Sequence, residues 1–149
     1  MAIDLAVNSF MNAIDTNILL YSVDSNEPTK QRVARHLLEQ LHSGSEQTVL
    51  LWQVLGELTQ QLRRWRELDK LTSEEFSQYI HAFRYLFPLV LPTAGAFDSA
   101  ISMADRFTLS HWDSMILGAC QAAGVTRLYT EDMGAPRTID AVELINPFT

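Results

Sequence analysis

Four acidic residues are spaced along the chain so that all of them can stand at one edge of a folded domain. Asp15 follows a short apolar run, and Asp132 follows another at residues 127–129. Glu57 lies in the second turn of a long helical segment, and Asp113 lies in the first turn of an apolar one. Carboxylates brought together repel one another, and a hard divalent cation relieves the repulsion. Oxygen ligands of this kind predict a Mg²⁺ or Mn²⁺ site suited to in-line attack on a phosphodiester.

Each acid also has an ordinary structural explanation when it is considered alone. Aspartate is a common helix N-cap, which would account for Asp15, and Ser110 with Asp113 resembles a capping box. Glu57 falls just outside the apolar arc of its helix, where a solvated glutamate is common. Four separate structural explanations that all place an acid at one edge of the sheet are less plausible together than one shared role. We therefore interpret the four acids as a single site.

The elements that must position these acids alternate between short strands and helices. Strands are expected at residues 10–14, 48–51, 89–91, 127–129 and 141–145. Helices are expected at 18–23, 28–42, 52–68, 72–87, 93–107 and 111–123. The alternation predicts an α/β fold, a single-domain parallel sheet sandwiched by helices in a Rossmann-like three-layer arrangement. Such sheets bind ligands at the carboxyl ends of their strands.

Length and composition fit one soluble domain. The chain has 149 residues, of which 47% are hydrophobic and 19% charged, and no apolar run approaches membrane-spanning length. We treat residues 1–149 as one domain in which residues 1–9 are an N-terminal lead-in without the basic start of a secretory signal. Cys120 is the only cysteine and has no disulfide partner, so we expect a reduced, cytoplasmic protein.

The net charge of −7 argues against a protein that holds nucleic acid by bulk electrostatics, although nucleic acid can still be a substrate. The densest positive charge is at the end of the long helix, in Arg63, Arg64, Arg66 and Lys70. The helix dipole is a sufficient reason for basic residues there. If a polyanion is bound, these side chains are the first candidates for phosphate contacts.

Several segments taken together resemble the PIN-domain ribonucleases, and in particular the VapC-type toxins. The matching segments are Ala13-Ile14-Asp15-Thr16-Asn17-Ile18-Leu19, Gly56-Glu57-Leu58, Leu109-Ser110-His111-Trp112-Asp113-Ser114, Leu128-Tyr129-Thr130-Glu131-Asp132-Met133 and the closing Asn146-Pro147-Phe148. The resemblance covers nearly the whole chain and keeps the order and spacing of all four acids.

The resemblance implies a PIN-like fold and a metal-dependent endoribonuclease that cleaves RNA. By that resemblance, the acidic pocket is formed by Asp15, Glu57, Asp113 and Asp132. The direct ligands of Mg²⁺ or Mn²⁺ would be Asp15 and Asp113. Supporting polar positions would be Thr16, Asn17, Ser114 and Thr130. The same resemblance implies the toxin of a type II toxin–antitoxin pair, a cognate antitoxin protein that covers the pocket, and a homodimer.

Two other interpretations remain open. A catalytically inactive PIN-fold interaction module would keep the fold in order to bind a protein partner, and the aromatic residues between positions 76 and 87 permit this. A phosphatase of the aspartyl-phosphate type fits less well, because Asn17 stands where such enzymes carry a second aspartate. The chain departs from the family pattern in its short segment 134–138 and in the additional residues 1–9, and neither departure touches the four acids.

Overall fold

The computed structural model describes residues 10–149, and the expected lead-in at residues 1–9 lies outside the described part. The strands are β1 (Met11–Ile14), β2 (Gln47–Leu51), β3 (Leu89–Val90), β4 (Arg127–Tyr129), β5 (Arg137–Ile139) and β6 (Val142–Ile145). The helices are α1 (Thr16–Ser22), α2 (Pro28–Ser43), α3 (Trp52–Glu67), α4 (Ser73–Leu86), α5 (Ala94–Phe107) and α6 (His111–Ala123).

The strands form one sheet in the order β3-β2-β1-β4-β6-β5. β1 lies inside the sheet and pairs in parallel with both β2 and β4, and β3 and β6 extend the parallel arrangement on either side. Ala13 and Ile14 of β1, and Val49 to Leu51 of β2, are almost completely buried. Strands that are apolar on both faces are typical of a parallel sheet covered by helices. The predicted α/β fold, a parallel sheet flanked by helices, is confirmed.

One strand was not predicted. β5 pairs antiparallel with β6 at the edge of the sheet, so the sheet is not wholly parallel. Two of its residues, Arg137 and Thr138, are exposed, and only Ile139 is buried. An edge strand this short and polar has no apolar alternation by which to recognise it, and the preceding proline also favours a loop reading.

The first helix begins earlier than predicted. We expected Thr16 and Asn17 to act as caps before a helix at residue 18, but α1 already includes both. Asp15 is the N-cap, and its Oδ1 accepts a 2.7 Å hydrogen bond from the backbone N of Thr16. The same acid therefore ends β1 and caps α1.

The other predicted helix starts agree with the structure. α2 begins at Pro28, and Thr72 with Glu75 forms a capping box for α4. Ser110 caps α6, because its hydroxyl oxygen accepts a 3.2 Å hydrogen bond from the backbone N of Asp113. Within residues 10–149, no helix combines the length and the apolar character that crossing a membrane requires.

The helices α5 and α6 approach each other very closely at Gly118. A Cβ atom built on this glycine would lie 2.7 Å from the backbone N of Ala100 and would also meet the carbonyl oxygen of Ala96. Cys120 is buried two residues later, as a free thiol. This packing holds α6 against α5 and so fixes the position of the first turn of α6, where Asp113 lies.

Candidate active site

Asp15 lies at the carboxyl end of β1 and is only 4% exposed. Its Oδ2 accepts a 2.8 Å hydrogen bond from the hydroxyl of Thr130, which follows β4. Its backbone N donates a 2.9 Å hydrogen bond to the carbonyl oxygen of Tyr129. The N-cap explanation of Asp15 is therefore correct but incomplete, because capping uses one carboxylate oxygen and the neighbouring strand holds the other.

The environment of Asp15 weakens its acidity. Burial raises the pKa of the carboxyl group from 3.8 to about 6. The hydrogen bonds from Thr130 and Thr16 lower the pKa, and the nearby negative charges of Glu57 and Asp132 raise it. A positive charge placed beside this carboxylate would favour its ionised form. Perturbation by burial together with other acids is a feature of functional sites.

Glu57 is half-buried and faces Asp15 across the start of α1. Its Oε1 accepts a 2.9 Å hydrogen bond from the hydroxyl of Thr16. Its Oε2 lies 3.4 Å from Nε2 of Gln53, one turn earlier on α3. The same Gln53 nitrogen donates a 3.1 Å hydrogen bond to the carbonyl oxygen of Trp112. Gln53 therefore links Glu57 to the first turn of α6.

Asp132 is exposed and is held by α1. Its Oδ2 accepts a 2.8 Å hydrogen bond from Nδ2 of Asn17, and its backbone N donates a 3.0 Å hydrogen bond to Oγ1 of Thr130. Oδ1 of Asn17 is buried and has no hydrogen-bond partner among residues 10–149. A buried amide oxygen without a donor is an acceptor that a cation or a water molecule can satisfy.

Asp113 and Ser114 join the cluster less directly. Asp113 is half-buried, and its backbone N is used in the capping of α6. Ser114 is buried, and its hydroxyl donates a 2.7 Å hydrogen bond to the carbonyl oxygen of His111 within the same helical turn. The connection of this turn to the other acids runs through the contact of Gln53 with Trp112. Direct hydrogen bonds join the remaining predicted residues, Asp15, Thr16, Asn17, Glu57, Thr130 and Asp132.

The donor set fits Mg²⁺ or Mn²⁺ in its chemistry, since every candidate ligand is an oxygen atom. As the side chains stand, no three Asp, Glu, His or Cys residues between positions 10 and 149 are grouped closely enough to hold a metal ion. The carboxylates of Glu57 and Asp132 are instead turned to neutral donors. Hydrogen bonds of this kind contribute about 1.5–3 kcal/mol each, which a divalent cation can replace. The buried Oδ1 of Asn17, which has no hydrogen-bond donor among residues 10–149, also supports the fit of Mg²⁺ or Mn²⁺ to this site.

A second cluster, which we did not predict, fixes the segment beside Asp132. Glu131 accepts a 2.6 Å hydrogen bond from the hydroxyl of Tyr21 and a 2.7 Å hydrogen bond from Nζ of Lys30. Burial raises the pKa of Glu131, but the bonds from Lys30 and Tyr21 outweigh this and leave the pKa lowered. The Tyr21 ring packs edge-on against Phe148 at 5.2 Å.

Lys30 and Glu131 form an ion pair, with Nζ of Lys30 2.7 Å from Oε2 of Glu131. The two residues lie 101 positions apart, so no local pattern could have indicated the pair. The hydrogen bond from Gln53 to the carbonyl oxygen of Trp112 is likewise a contact between distant segments.

An apolar groove with a volume of about 720 Å³ opens beside Glu57. Four of its large side chains are between 51% and 61% exposed, namely Trp52, Leu91, Phe97 and Trp112. Large apolar side chains grouped on one exposed surface are typical of interaction sites. We call this surface the apolar groove.

The sequence matches the PIN domain over residues 13–140, and the chain therefore belongs to the PIN domain family. A comparison with curated protein sequences gave no significant match.

Among solved structures, VapBC-1 from nontypeable Haemophilus influenzae has a TM-score of 0.68 at 14% identity, covering 94% of this chain and 100% of that chain. VapBC2 from Rickettsia felis, bound to a DNA fragment from its promoter, has a TM-score of 0.65 at 14% identity, covering 91% and 97%. VapC20 of Mycobacterium tuberculosis, a toxin that cleaves the sarcin-ricin loop, has a TM-score of 0.62 at 16% identity, covering 83% and 91%. At these identities the likeness establishes the fold.

Proposed function

We propose that this protein is a metal-dependent endoribonuclease that cleaves RNA phosphodiester bonds, and that it is the toxin of a toxin–antitoxin pair. The observation that carries the proposal is the buried Asp15 carboxylate, whose pKa is raised to about 6 beside Glu57 and Asp132 in a PIN domain. The fold shared with VapBC complexes, and with a toxin that cleaves the sarcin-ricin loop, supports RNA as the substrate.

In this proposal, Asp15 and Asp113 hold Mg²⁺ or Mn²⁺ directly, and Glu57 and Asp132 complete the acidic pocket. When bound, the ion supplies positive charge that polarises the scissile phosphate and offsets the charge developing on it. Thr130 holds the Asp15 carboxylate from β4. Ser114 supports the helical turn that carries Asp113. Thr130 and Ser114 therefore position ligands and take no part in bond breaking.

Two further hydrogen bonds orient the acids that complete the pocket. Thr16 orients Glu57, and Asn17 orients Asp132. Oε2 of Glu57 has only a long 3.4 Å contact with Gln53, so it is the carboxylate oxygen best placed to accept a proton from an attacking water molecule. A serine or cysteine nucleophile is not needed for this reaction.

A cognate antitoxin is part of the proposal. The apolar groove beside Glu57 is suited to an apolar segment of a partner protein, because binding would bury Trp112, Phe97 and Leu91. A segment seated there would also cover the approach to Glu57. A homodimer and a cytoplasmic location follow from the resemblance to VapC-type toxins and are proposed with it.

The experiment is cleavage of a mixed RNA pool, containing structured and single-stranded molecules, by protein purified free of any partner. We expect cutting with Mg²⁺ or Mn²⁺, none with chelator, and a loss of about 100-fold in Asp113→Asn. Asp105→Asn is the matched control, because Asp105 is an exposed acid on α5 and its substitution changes the charge equally. Circular dichroism should show that both variants are folded.

The second candidate is a catalytically inactive interaction module, which the apolar groove favours. In that case the protein would cut no RNA and bind no Mg²⁺ or Mn²⁺ by calorimetry. Asp113→Asn would then bind a protein partner as tightly as the wild type. Metal-dependent cutting that Asp113→Asn abolishes would exclude this candidate.

A further inference from the structure

A second groove, with a volume of about 640 Å³, runs along the exposed face of α3. Trp52, Gly56 and Gln60 line both this groove and the apolar groove that contains Glu57. The second groove continues along the helix to Arg63 and Arg64. The two grooves therefore meet over Gly56, where a chain that leaves the acidic pocket can cross α3. We call this path, from Trp52 over Gly56 to Arg63 and Arg64, the α3 track.

Gly56 is the position in the α3 track at which no side chain rises from the helix. It is exposed inside α3, and a Cβ atom built on it would meet nothing within 4 Å. A glycine inside a helix costs about 1 kcal/mol relative to alanine. Neither a turn nor a close approach of another helix requires a glycine at this position. The fold does not require a glycine at this position, and the missing side chain leaves room for a ligand to cross the helix.

The two ends of the α3 track carry different chemistry. Trp52 is 55% exposed and presents an aromatic face on which a base can stack. Arg63 and Arg64 are exposed and lie about 11 Å along the helix axis from Gly56. Of the ion pairs formed among residues 10–149, none includes either arginine. These guanidinium groups are therefore available for phosphates.

The neighbouring basic side chain does not belong to the α3 track. The guanidinium of Arg66 lies 4.5 Å from the ring centre of Phe76, so it is part of the contact between α3 and α4. Glu67 lines the far end of the second groove, but it is not within ion-pair distance of Arg63 or Arg64. Of the basic residues at the end of α3, Arg63 and Arg64 are therefore the ones that line the second groove.

We propose that the α3 track binds single-stranded RNA next to the acidic pocket; this inference rests on the proposed nuclease function. The charges are complementary, because the acidic pocket repels a polyanion and two exposed arginines in a chain of net charge −7 offset that repulsion. An apolar protein segment would not require the arginines. A duplex would not offer a base to Trp52, because its bases are stacked on each other. A single strand offers both stackable bases and regularly spaced phosphates.

The first test measures binding of a fluorescein-labelled, mixed-sequence, single-stranded RNA by anisotropy, in the Asp113→Asn background so that the probe stays intact. Arg63→Gln with Arg64→Gln should weaken binding about tenfold and flatten the plot of log affinity against log salt by about 1.4, since each phosphate contact contributes about 0.7. The matched control is Arg32→Gln with Arg84→Gln, which removes the same charge from exposed positions on α2 and α4. It should leave the slope unchanged.

The second test fills the gap at Gly56. Gly56→Leu should raise KM for RNA cleavage severalfold with little change in kcat, while Gly56→Ala, which adds only one methyl group, should raise KM by a smaller factor. Both substitutions favour the helix, so loss of folding does not explain the difference between them. Trp52→Ala should weaken binding of single-stranded RNA more than binding of the same sequence as a duplex.

The outcomes separate the two proposals. If the wild type cuts RNA but the Arg63 and Arg64 pair behaves like its control, the α3 track is wrong and the nuclease stands. If the wild type neither cuts nor binds RNA, the proposed function fails and the α3 track fails with it. If Gly56→Leu loses only a protein partner and keeps its RNA affinity, the surface is a protein interface and the RNA assignment is overturned.

Discussion

The hydroxyl of Thr130 donates a 2.8 Å hydrogen bond to Oδ2 of Asp15, which lies 115 positions earlier in the chain. The same oxygen of Thr130 accepts a 3.0 Å hydrogen bond from the backbone N of Asp132. Thr130 is completely buried, so water cannot take over either bond. One threonine thus holds one acid of the site and the start of the segment that carries another.

Replacing Thr130 with valine, which has a similar shape but no hydroxyl, should raise the pKa of Asp15 above about 6, because the hydrogen bond from Thr130 lowers that pKa. Asp15 must be ionised to bind a cation, so the rising limb of the pH–rate profile for RNA cleavage should move to higher pH. The loss of a donor to a buried carboxylate should also cost about 1–3 kcal/mol of unfolding free energy at pH 7.

The matched variant is Thr130→Ser, which keeps the hydroxyl and should retain the wild-type profile. Urea unfolding and the pH–rate profile are the two measurements. An unchanged midpoint in Thr130→Val would show that the hydroxyl does not control the ionisation of Asp15.

Asp15→Asn should make the protein more stable at pH 7, although it should abolish cleavage. The pKa of Asp15 is raised from 3.8 to about 6, so the folded state favours the protonated group. The resulting contribution to stability is fully present below about pH 4 and is lost as the pH rises through about 6. A shift of this size corresponds to about 3 kcal/mol, and asparagine still caps α1.

Urea unfolding with chelator present should therefore show a gap between Asp15→Asn and the wild type that is small at pH 4 and wider at pH 7. A variant less stable than the wild type at pH 7 would mean that the hydrogen bonds to Asp15 outweigh the cost of burying its charge.

Mg²⁺ should raise the melting temperature of the wild type and of Asp105→Asn, but not that of Asp15→Asn. A ligand at 100 times its Kd stabilises the folded state by about 2.7 kcal/mol. The effect should fade below pH 6, where Asp15 is protonated. Thermal scans at matched ionic strength with Na⁺ provide the measurement, and equal stabilisation of all three proteins would place the bound Mg²⁺ elsewhere.

Two glycines inside helices should respond in opposite ways to alanine. Gly56→Ala should stabilise the protein by about 1 kcal/mol, because the added Cβ meets open space and alanine favours the helix. Gly118→Ala should destabilise it by about 1–3 kcal/mol or more, because the Cβ would lie 2.7 Å from the backbone N of Ala100. Urea unfolding of the two variants against the wild type measures both effects, and stabilisation by Gly118→Ala would contradict the observed packing of α5 on α6.

Local patterns were sufficient to predict most of the elements. The buried strands β1 and β2 are indicated by short, mostly apolar runs, and the capping residues Thr72 and Ser110 mark helix starts that the structure confirms. The incorrect predictions also arise from the limits of local sequence patterns. β5 carries one buried residue, Ile139, and Asp15 has two roles of which a linear pattern indicates only one.

The polar contacts of the site were beyond prediction, because they join residues that are distant in sequence. The strand order, which brings β4 beside β1, is needed before Thr130 can be placed against Asp15. The bond of Asn17 to Asp132 and the pairing of Lys30 with Glu131 depend on the same neighbourhood. Sequence spacing led us to expect these side chains at one edge of the sheet, but it carried no information on which donor each acid would find.

The position of β1 between β2 and β4 also bears on how the protein is made. Until the ribosome has added β4 and Thr130, the strand that carries Asp15 lacks its partner on one side and the carboxylate lacks a donor. At about 5–20 residues per second, this leaves roughly 6–23 seconds between the synthesis of Asp15 and that of Thr130. The site of the proposed nuclease can therefore be completed only after most of the chain has been synthesised.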